Sequence, residues 1–129
     1  MGALPVAWGL ARMGHGMAVN DPLRDIGWIA ALAAAEEVVF RGGLQAWLVR
    51  RPVLAARHAG LSGANLLTSL LFSAAHLWAH TPVMAAAVFP VSLLLGASFE
   101  QSGRLCLPVA LHIWFNVALY VASWWLLAR

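Results

Sequence analysis

Long apolar stretches fill the chain from Ile26 onward, and each stretch predicts a helix. Each has roughly the 17 to 25 residues that a helix needs to cross the hydrocarbon core of a bilayer. The pattern therefore predicts an all-α fold, a polytopic membrane bundle of about four transmembrane helices. The predicted helices are residues 26–48, 62–80, 83–99 and 108–127.

Short polar or proline-containing segments separate these predicted helices. They are the turn and helix start at 20–22, the basic loop 52–63, the Thr81-Pro82 interruption and the polar loop 100–104. Pro108 suits the first turn of the last helix, where a missing backbone N–H costs nothing. The third helix carries only Ser92 and Ser98 as polar residues, so the pattern indicates no chemistry there.

The first predicted helix differs from the others because charged residues interrupt its apolar sequence. Ionised side chains are rare in segments long enough to enter a bilayer, and they are functional candidates there. Glu37 and Arg41 are four residues apart, so they can pair on one helix face together with Gln45. Glu36 points about 100° away around the axis and has no such partner in its own segment. One glutamate is braced, and the other is free to do chemistry.

The composition supports a membrane protein and argues against nucleic-acid binding. The chain of 129 residues is 62% hydrophobic and 10% charged, with a mean hydropathy of +0.78, whereas soluble domains are about 25% charged. The net charge of +3 comes from arginines spread along the chain, with no lysine and no basic run that would follow a phosphate backbone. A single cysteine, Cys106, excludes an internal disulfide.

The length fits one domain, residues 1–129, with two parts. Residues 1–24 are apolar but lack the basic start and small-residue cleavage site of a signal peptide. They are therefore expected to form an interfacial segment or a partial helix. Residues 25–120 form the core that carries the polar motifs.

Two further helices carry polar side chains at the same four-residue spacing as Glu37 and Arg41. Phe72 precedes His76, and His112 precedes Asn116. Each pair alone has a structural explanation, since Phe72 suits a core, and an intramembrane histidine or asparagine often only joins helices. The Glu37–Arg41 pair likewise suits a structural brace. Three helices that all bring such groups inward indicate a site.

The ordered set of motifs resembles the CPBP family, which comprises CAAX prenyl endopeptidases, bacteriocin-processing or self-immunity proteins and Abi-type intramembrane glutamic proteases. The resemblance covers residues 25–120 and rests on Glu36-Glu37-x-x-x-Arg41, Phe72-x-x-x-His76 and His112-x-x-x-Asn116, with a Gly-Arg-Leu-x-x-Pro segment before the last motif. The tryptophan-rich, basic sequence also resembles small bacterial members that process C-terminal sorting tails.

The resemblance implies a role for each matching residue and no metal or cofactor. Glu36 matches the general base that activates a water, and His76 matches the histidine that holds and polarises this water. His112 and Asn116 match the residues that stabilise the oxyanion. Glu37 and Arg41 would fix the first helix, with Phe72 in support. Donors aimed in advance at a developing oxyanion supply one of the larger catalytic terms.

The resemblance also implies the setting of the reaction. The substrate would be a membrane-anchored protein or peptide tail, and the chain would be an integral protein of the lipid bilayer. The lysine-free, Ala- and Arg-rich composition indicates a bacterial plasma (inner) membrane. Family members usually have six to eight transmembrane helices. The shortfall here raises the expectation of a homo-oligomer or a partner subunit that replaces the missing helices.

Three other functions fit parts of the same pattern. His76 and His80 have the spacing of zinc ligands, and Glu36 or His112 would complete the set of a zinc metalloprotease, although no His-Glu-x-x-His motif is present. Cys106 and His112 would form a cysteine protease pair. A non-catalytic membrane scaffold or immunity protein would bind a peptide in the same pocket without cleaving it.

Overall fold

A computed structural model describes residues 22–58, 60–78 and 80–127, and nearly all of its regular structure is helical. The predicted all-α class is confirmed, because the strands pair over only two residues each. The elements are α1 (Pro22–Glu37), a π-helical segment (Val38–Gln45), α2 (Ala46–Leu48), α3 (Pro52–Ala55), β1 (Arg57–His58), β2 (Leu61–Ser62), α4 (Gly63–His76), α5 (Pro82–Ser102) and α6 (Cys106–Leu127). Of the interfacial or partial helix predicted at residues 1–24, positions 1–21 lie outside the described residues.

The first predicted helix is present, but its second part is not an α-helix. α1 passes directly into the π-helical segment and then into α2, so the helical run extends from Pro22 to Leu48. A π-helix, with hydrogen bonds from i to i+5, is rare at this length, and π-helical turns within α-helices are frequent at functional sites. The apolar pattern gave no sign of it, because its Gly42-Gly43 sequence is equally compatible with a loosened α-helix.

The connections differ from the sequence prediction at two places. The basic loop predicted at 52–63 contains α3 and an antiparallel strand pair in which Arg57 lies opposite Ser62. The prediction of a polar loop at 100–104 is largely wrong, because α5 continues to Ser102. Gly103 caps the end of α5 with a φ of 64°, in the left-handed region that glycine favours. Glu100 is therefore a helical residue.

The helix starts follow from their capping residues. The hydroxyl of Ser62 accepts a hydrogen bond from the backbone N–H of Asn65 at 2.9 Å and so caps α4. Thr81 caps α5 in the same way, and Pro82 occupies its first turn. α4 ends at His76, four residues before the predicted end. α6 begins two residues before Pro108.

The helices pack as a bundle around polar contacts. α4 packs on α5 and on the π-helical segment, and α6 packs on α1 and on α5. Arg41 contacts Ser92, and Gln45 contacts Gly96, so the π-helical segment and α5 run in the same direction. At the other end of the bundle, the hydroxyl of Tyr120 donates to the carboxylate of Asp25 at 3.2 Å and joins α6 to α1.

Polar side chains occupy the interior, and large apolar side chains cover much of the outside. Water-soluble domains have the opposite distribution, because burial of apolar surface drives their folding. Trp28, Leu70 and Leu94 are among the large apolar side chains more than half exposed. Within the part of the chain that the structure describes, the buried polar residues are Glu37, Arg41, Gln45, Ser62, Asn65, Thr68, Ser69, Ser92 and His112.

One helix in the described part of the chain, α5, is both long and apolar enough to cross a membrane by length and composition. α6 contains a shorter apolar stretch, Cys106–Ala122. The run from Pro22 to Leu48 carries Glu36, Glu37 and Arg41, and α4 has only 14 residues, or about 21 Å. The predicted bundle of four spans therefore stays a prediction.

Gly96 on α5 allows the side chains of Asn65 and Gln45 to approach the backbone of α5 closely in the interior. A Cβ atom at this position would overlap the side-chain oxygen of Asn65 and lie 2.9 Å from Oε1 of Gln45. The space is used by hydrogen bonds, because Gln45 donates to the carbonyl of Gly96 at 3.1 Å and Asn65 donates to that of Leu93 at 3.0 Å. A side chain here would displace both amides.

We expect Gly96→Ala to destabilise the protein by about 1–3 kcal/mol, the usual cost of overpacking and of lost buried hydrogen bonds. Thermal unfolding in detergent micelles would measure this as a lower midpoint. Gly27→Ala in α1 is the matched control, since a Cβ there meets nothing within 4 Å. Equal midpoints for the two variants would contradict the packing argument.

Candidate active site

The carboxylate of Glu37 lies at the centre of a buried charge cluster. Its side chain has 0% exposure, and its Oε1 accepts hydrogen bonds from Nη1 of Arg41 at 3.0 Å and from Nδ1 of His112 at 2.8 Å. Arg41 comes from the same helical run, whereas His112 comes from α6. One oxygen atom thus joins α6 to the first helix. The pair that the sequence spacing indicates is present, and it has an additional partner.

Arg41 extends the cluster to α5 and α4. Its Nη2 donates to the hydroxyl of Ser92 at 2.7 Å and to the carbonyl of Ser92 at 3.0 Å. Its guanidinium lies 4.6 Å from the centre of the Phe72 ring, within range of a cation–π interaction. A fully buried arginine requires such partners, because leaving water costs an ion several kcal/mol.

Glu36 has a different environment from that of Glu37. Its Oε2 lies 3.7 Å from Nε2 of His112, a separation longer than a hydrogen bond. Its side chain is 21% exposed. His112 therefore lies between the two glutamates, with Nδ1 toward Glu37 and Nε2 toward Glu36. The structure thus places His112 opposite the glutamate that lacks a partner in its own helix.

Phe72 positions the two imidazoles. Its buried ring packs edge-on against His112 at 5.8 Å between centroids and tilted against His76 at 4.6 Å. Nδ1 of His76 lies 2.8 Å from the carbonyl oxygen of Phe72. A carbonyl oxygen only accepts, so Nδ1 carries the proton. In the neutral ring, Nε2 of His76 then presents a lone pair.

Asn116 and His80 lie at the margins of this arrangement. Asn116 is half-buried one turn after His112 on α6. Its side chain makes no hydrogen bond with the described part of the chain. The ring of His80 stacks on that of His76 at 5.7 Å. Among residues 22–58, 60–78 and 80–127, no three His, Cys, Asp or Glu side chains are grouped as metal ligands.

Cys106 and His112 do not share a helix face. Cys106 is exposed at the first position of α6. Six residues along an α-helix turn through about 240°, so the thiol and the imidazole point in different directions. The geometry disfavours a cysteine protease built from these two side chains.

Sequence reasoning missed the contribution of α5, which the pattern left without chemistry. Ser92, Gly96 and Glu100 all receive hydrogen bonds from the first helical run, from Arg41 and Gln45. The three positions are four residues apart, so they lie on one helix face. This repeated spacing of small and polar residues is the signal that could have revealed the face.

A family model covers most of the chain and includes all the residues of this arrangement. The model described as type II CAAX prenyl endopeptidase Rce1-like matches residues 20–118. No curated protein and no solved structure matches the chain. The match agrees with the resemblance to CPBP proteases that the sequence motifs indicate.

We expect Arg41→Met to destabilise the protein by about 3–5 kcal/mol, because the variant leaves the buried Glu37 carboxylate without its cationic partner. Thermal unfolding in micelles would show the loss. The double variant Glu37→Gln/Arg41→Met should recover part of it, since no buried charge then remains unpaired.

The control for this substitution is Arg51→Met, an exposed arginine that stacks on Trp47 at 4.7 Å. Its expected cost is at most about 1 kcal/mol. If Arg41→Met were no worse than this control, the buried cluster would not be a source of stability.

Proposed function

Because the chain belongs to the type II CAAX prenyl endopeptidase Rce1-like family, we propose that it is a metal-independent intramembrane glutamic endopeptidase with Glu36 as its base. Members of this family are membrane-embedded proteases, so the reaction class is hydrolysis of a peptide bond. The proposed substrate is the membrane-associated tail of a protein or peptide precursor.

The observation that carries the proposal is the unequal environment of the two adjacent glutamates. Glu37 is fully buried and bonded to a guanidinium and an imidazole, so it cannot reach a substrate. The side chain of Glu36 is partly exposed, and its carboxylate has no hydrogen bond to the described residues. Both carboxylate oxygens are therefore available to a water. A general base must lie within hydrogen-bond reach of the proton that it removes.

The proposed reaction uses water as the nucleophile. Glu36 takes a proton from a water whose other hydrogen is accepted by Nε2 of His76, and the oxygen attacks the scissile carbonyl. The tetrahedral oxyanion accepts hydrogen bonds from the side-chain amide of Asn116 and from Nε2–H of His112. Because Nδ1–H of His112 is already donated to Glu37, this step requires His112 in its doubly protonated imidazolium form. The C–N bond then breaks, and the proton on Glu36 passes to the leaving amine. Nothing is oxidised or reduced.

The surface of the bundle supports a location in the bilayer. Its apolar exterior and polar interior suit a lipid solvent, in which polar groups must be satisfied inside the protein. We place the protein in a bacterial plasma membrane, as a small enzyme for C-terminal sorting tails. A second copy or a partner subunit would supply further helices around it.

The proposed four spans make a prediction about sidedness. Arg57 pairs with Glu100 at 3.2 Å, so β1 lies at the same end as the end of α5. In a Cys106→Ser background, His58→Cys and Ser102→Cys should react with a membrane-impermeant thiol reagent from one side. Thr81→Cys should react only from the other side. Labelling of all three positions from one side would contradict four spans.

We expect Glu36→Gln to abolish cleavage of a membrane-tethered peptide in proteoliposomes, with wild-type activity unaffected by EDTA. The amide keeps the shape of the side chain but cannot take a proton from water. Cleavage products would be identified by mass spectrometry.

Asp25→Asn is the matched control, since it makes the same exchange on the same helix and its amide oxygen can still accept from Tyr120. Undiminished cleavage by Glu36→Gln would remove the proposed base. Activity lost in EDTA and restored by zinc would instead support the metalloprotease. Binding of the peptide without cleavage by the wild type would support the scaffold or immunity protein.

A further inference from the structure

We propose that Glu100 is a positioning residue for this site: it fixes the helix of Glu36 relative to the helix of His76. The inference rests on the proposed function, because its effect is measured on the same cleavage reaction. Glu100 lies near the end of α5, and sequence reasoning had assigned it to a loop without a role.

The contacts of Glu100 are those of a structural acceptor in the interior. Its side chain is 6% exposed. Oε1 accepts from Nε2 of Gln45 at 2.8 Å and from the hydroxyl of Ser62. Oε2 accepts from Nη2 of Arg57 at 3.2 Å. Three donors from three chain segments thus meet on one carboxylate, and an amide in its place could not accept all of them.

Two of these donors belong to the elements that carry the site. Gln45 is the last residue of the π-helical segment, one turn after Arg41. Ser62 is the capping residue of α4, the helix that ends at His76. Glu100 therefore holds the end of one helix and the start of the other at a common point.

Displacements at this point reach the site because each element is a continuous helical run. Gln45 lies nine residues after Glu36 in the same run. Glu100 therefore acts at a distance from the reacting atoms. A misplacement of about 1 Å at a reacting group can cost on the order of 100-fold in rate.

The register between the π-helical segment and α5 supports the same conclusion. Arg41 donates to Ser92, and Gln45 donates to the carbonyl of Gly96, so both contacts join residues at the same sequence separation. Glu100 continues this series one turn further along α5. Since a π-helix is uncommon and is kept by its surroundings, we infer that these contacts stabilise it.

The test compares kcat and KM of Glu100→Met, which removes both acceptor oxygens, with those of the wild type in proteoliposomes, at a temperature well below the unfolding midpoints of both. The expected result is a kcat lower by about 10- to 100-fold with KM changed less than about 2-fold. A contribution to stability alone would lower the midpoint and leave kcat of the folded protein unchanged.

A double-mutant cycle identifies the route. Gln45→Met removes the donor and leaves Glu100 with Ser62 and Arg57. If Glu100 acts through Gln45, the losses in kcat of Glu100→Met and Gln45→Met should not add in the double variant. Gln101→Ala, exposed beside Glu100 on α5, is the matched control and should retain wild-type kcat.

Each outcome separates this inference from the proposed function. Wild-type kcat in Glu100→Met, with Glu36→Gln inactive, overturns the positioning role and leaves the protease intact. Additive losses overturn the route through Gln45. If Glu100→Met fails to fold, Gln45→Met alone decides, since wild-type kcat there overturns the inference. Full activity of Glu36→Gln overturns the proposed base, whatever the result at position 100.

Discussion

The buried ion pair between Glu37 and Arg41 is the constraint on which the rest of the bundle depends. Neither side chain has any exposure, so each must find its partners inside the protein. Glu37 obtains a second donor from His112 on α6, and Arg41 obtains two acceptors from Ser92 on α5. The helices are thus held around two charges whose separation would leave a charge unpaired in the interior. Removal of one partner from such a pair costs more than the intact pair contributes to stability, because the other charge is left buried and unpaired.

The polar contacts continue from this pair toward one end of the bundle. They pass from Arg41 to Gln45 along the π-helical segment, and each contact is made with the same face of α5. In a bilayer the apolar exterior gains little from helix association, because lipid is as apolar as the side chains. Hydrogen bonds and close packing at small residues such as Gly96 then decide how the helices meet.

The sequence predicted much of the fold class and the main elements, because apolar length and four-residue spacing are local properties. It also distinguished Glu36 from Glu37, since neighbouring helix positions differ by about 100°. It could not predict the π-helical segment, whose Arg41 and Gln45 contact α5. The role of Glu100 was missed for a related reason. A polar residue at the end of an apolar stretch suggests a loop until its tertiary donors are known.

His112 connects the buried ion pair of Glu37 and Arg41 to Glu36, the proposed base. Because Glu37 engages its Nδ1, the ring cannot turn, and its Nε2 remains directed toward Glu36. The contact between Phe72 and both imidazoles restricts them further. Orientation of a catalytic group before substrate arrives avoids reorganisation during the reaction, which is the largest advantage of a fixed polar site. Adjacent glutamates on one helix thus have different roles in the proposed mechanism: Glu37 holds the imidazole, and Glu36 faces it as the proposed base.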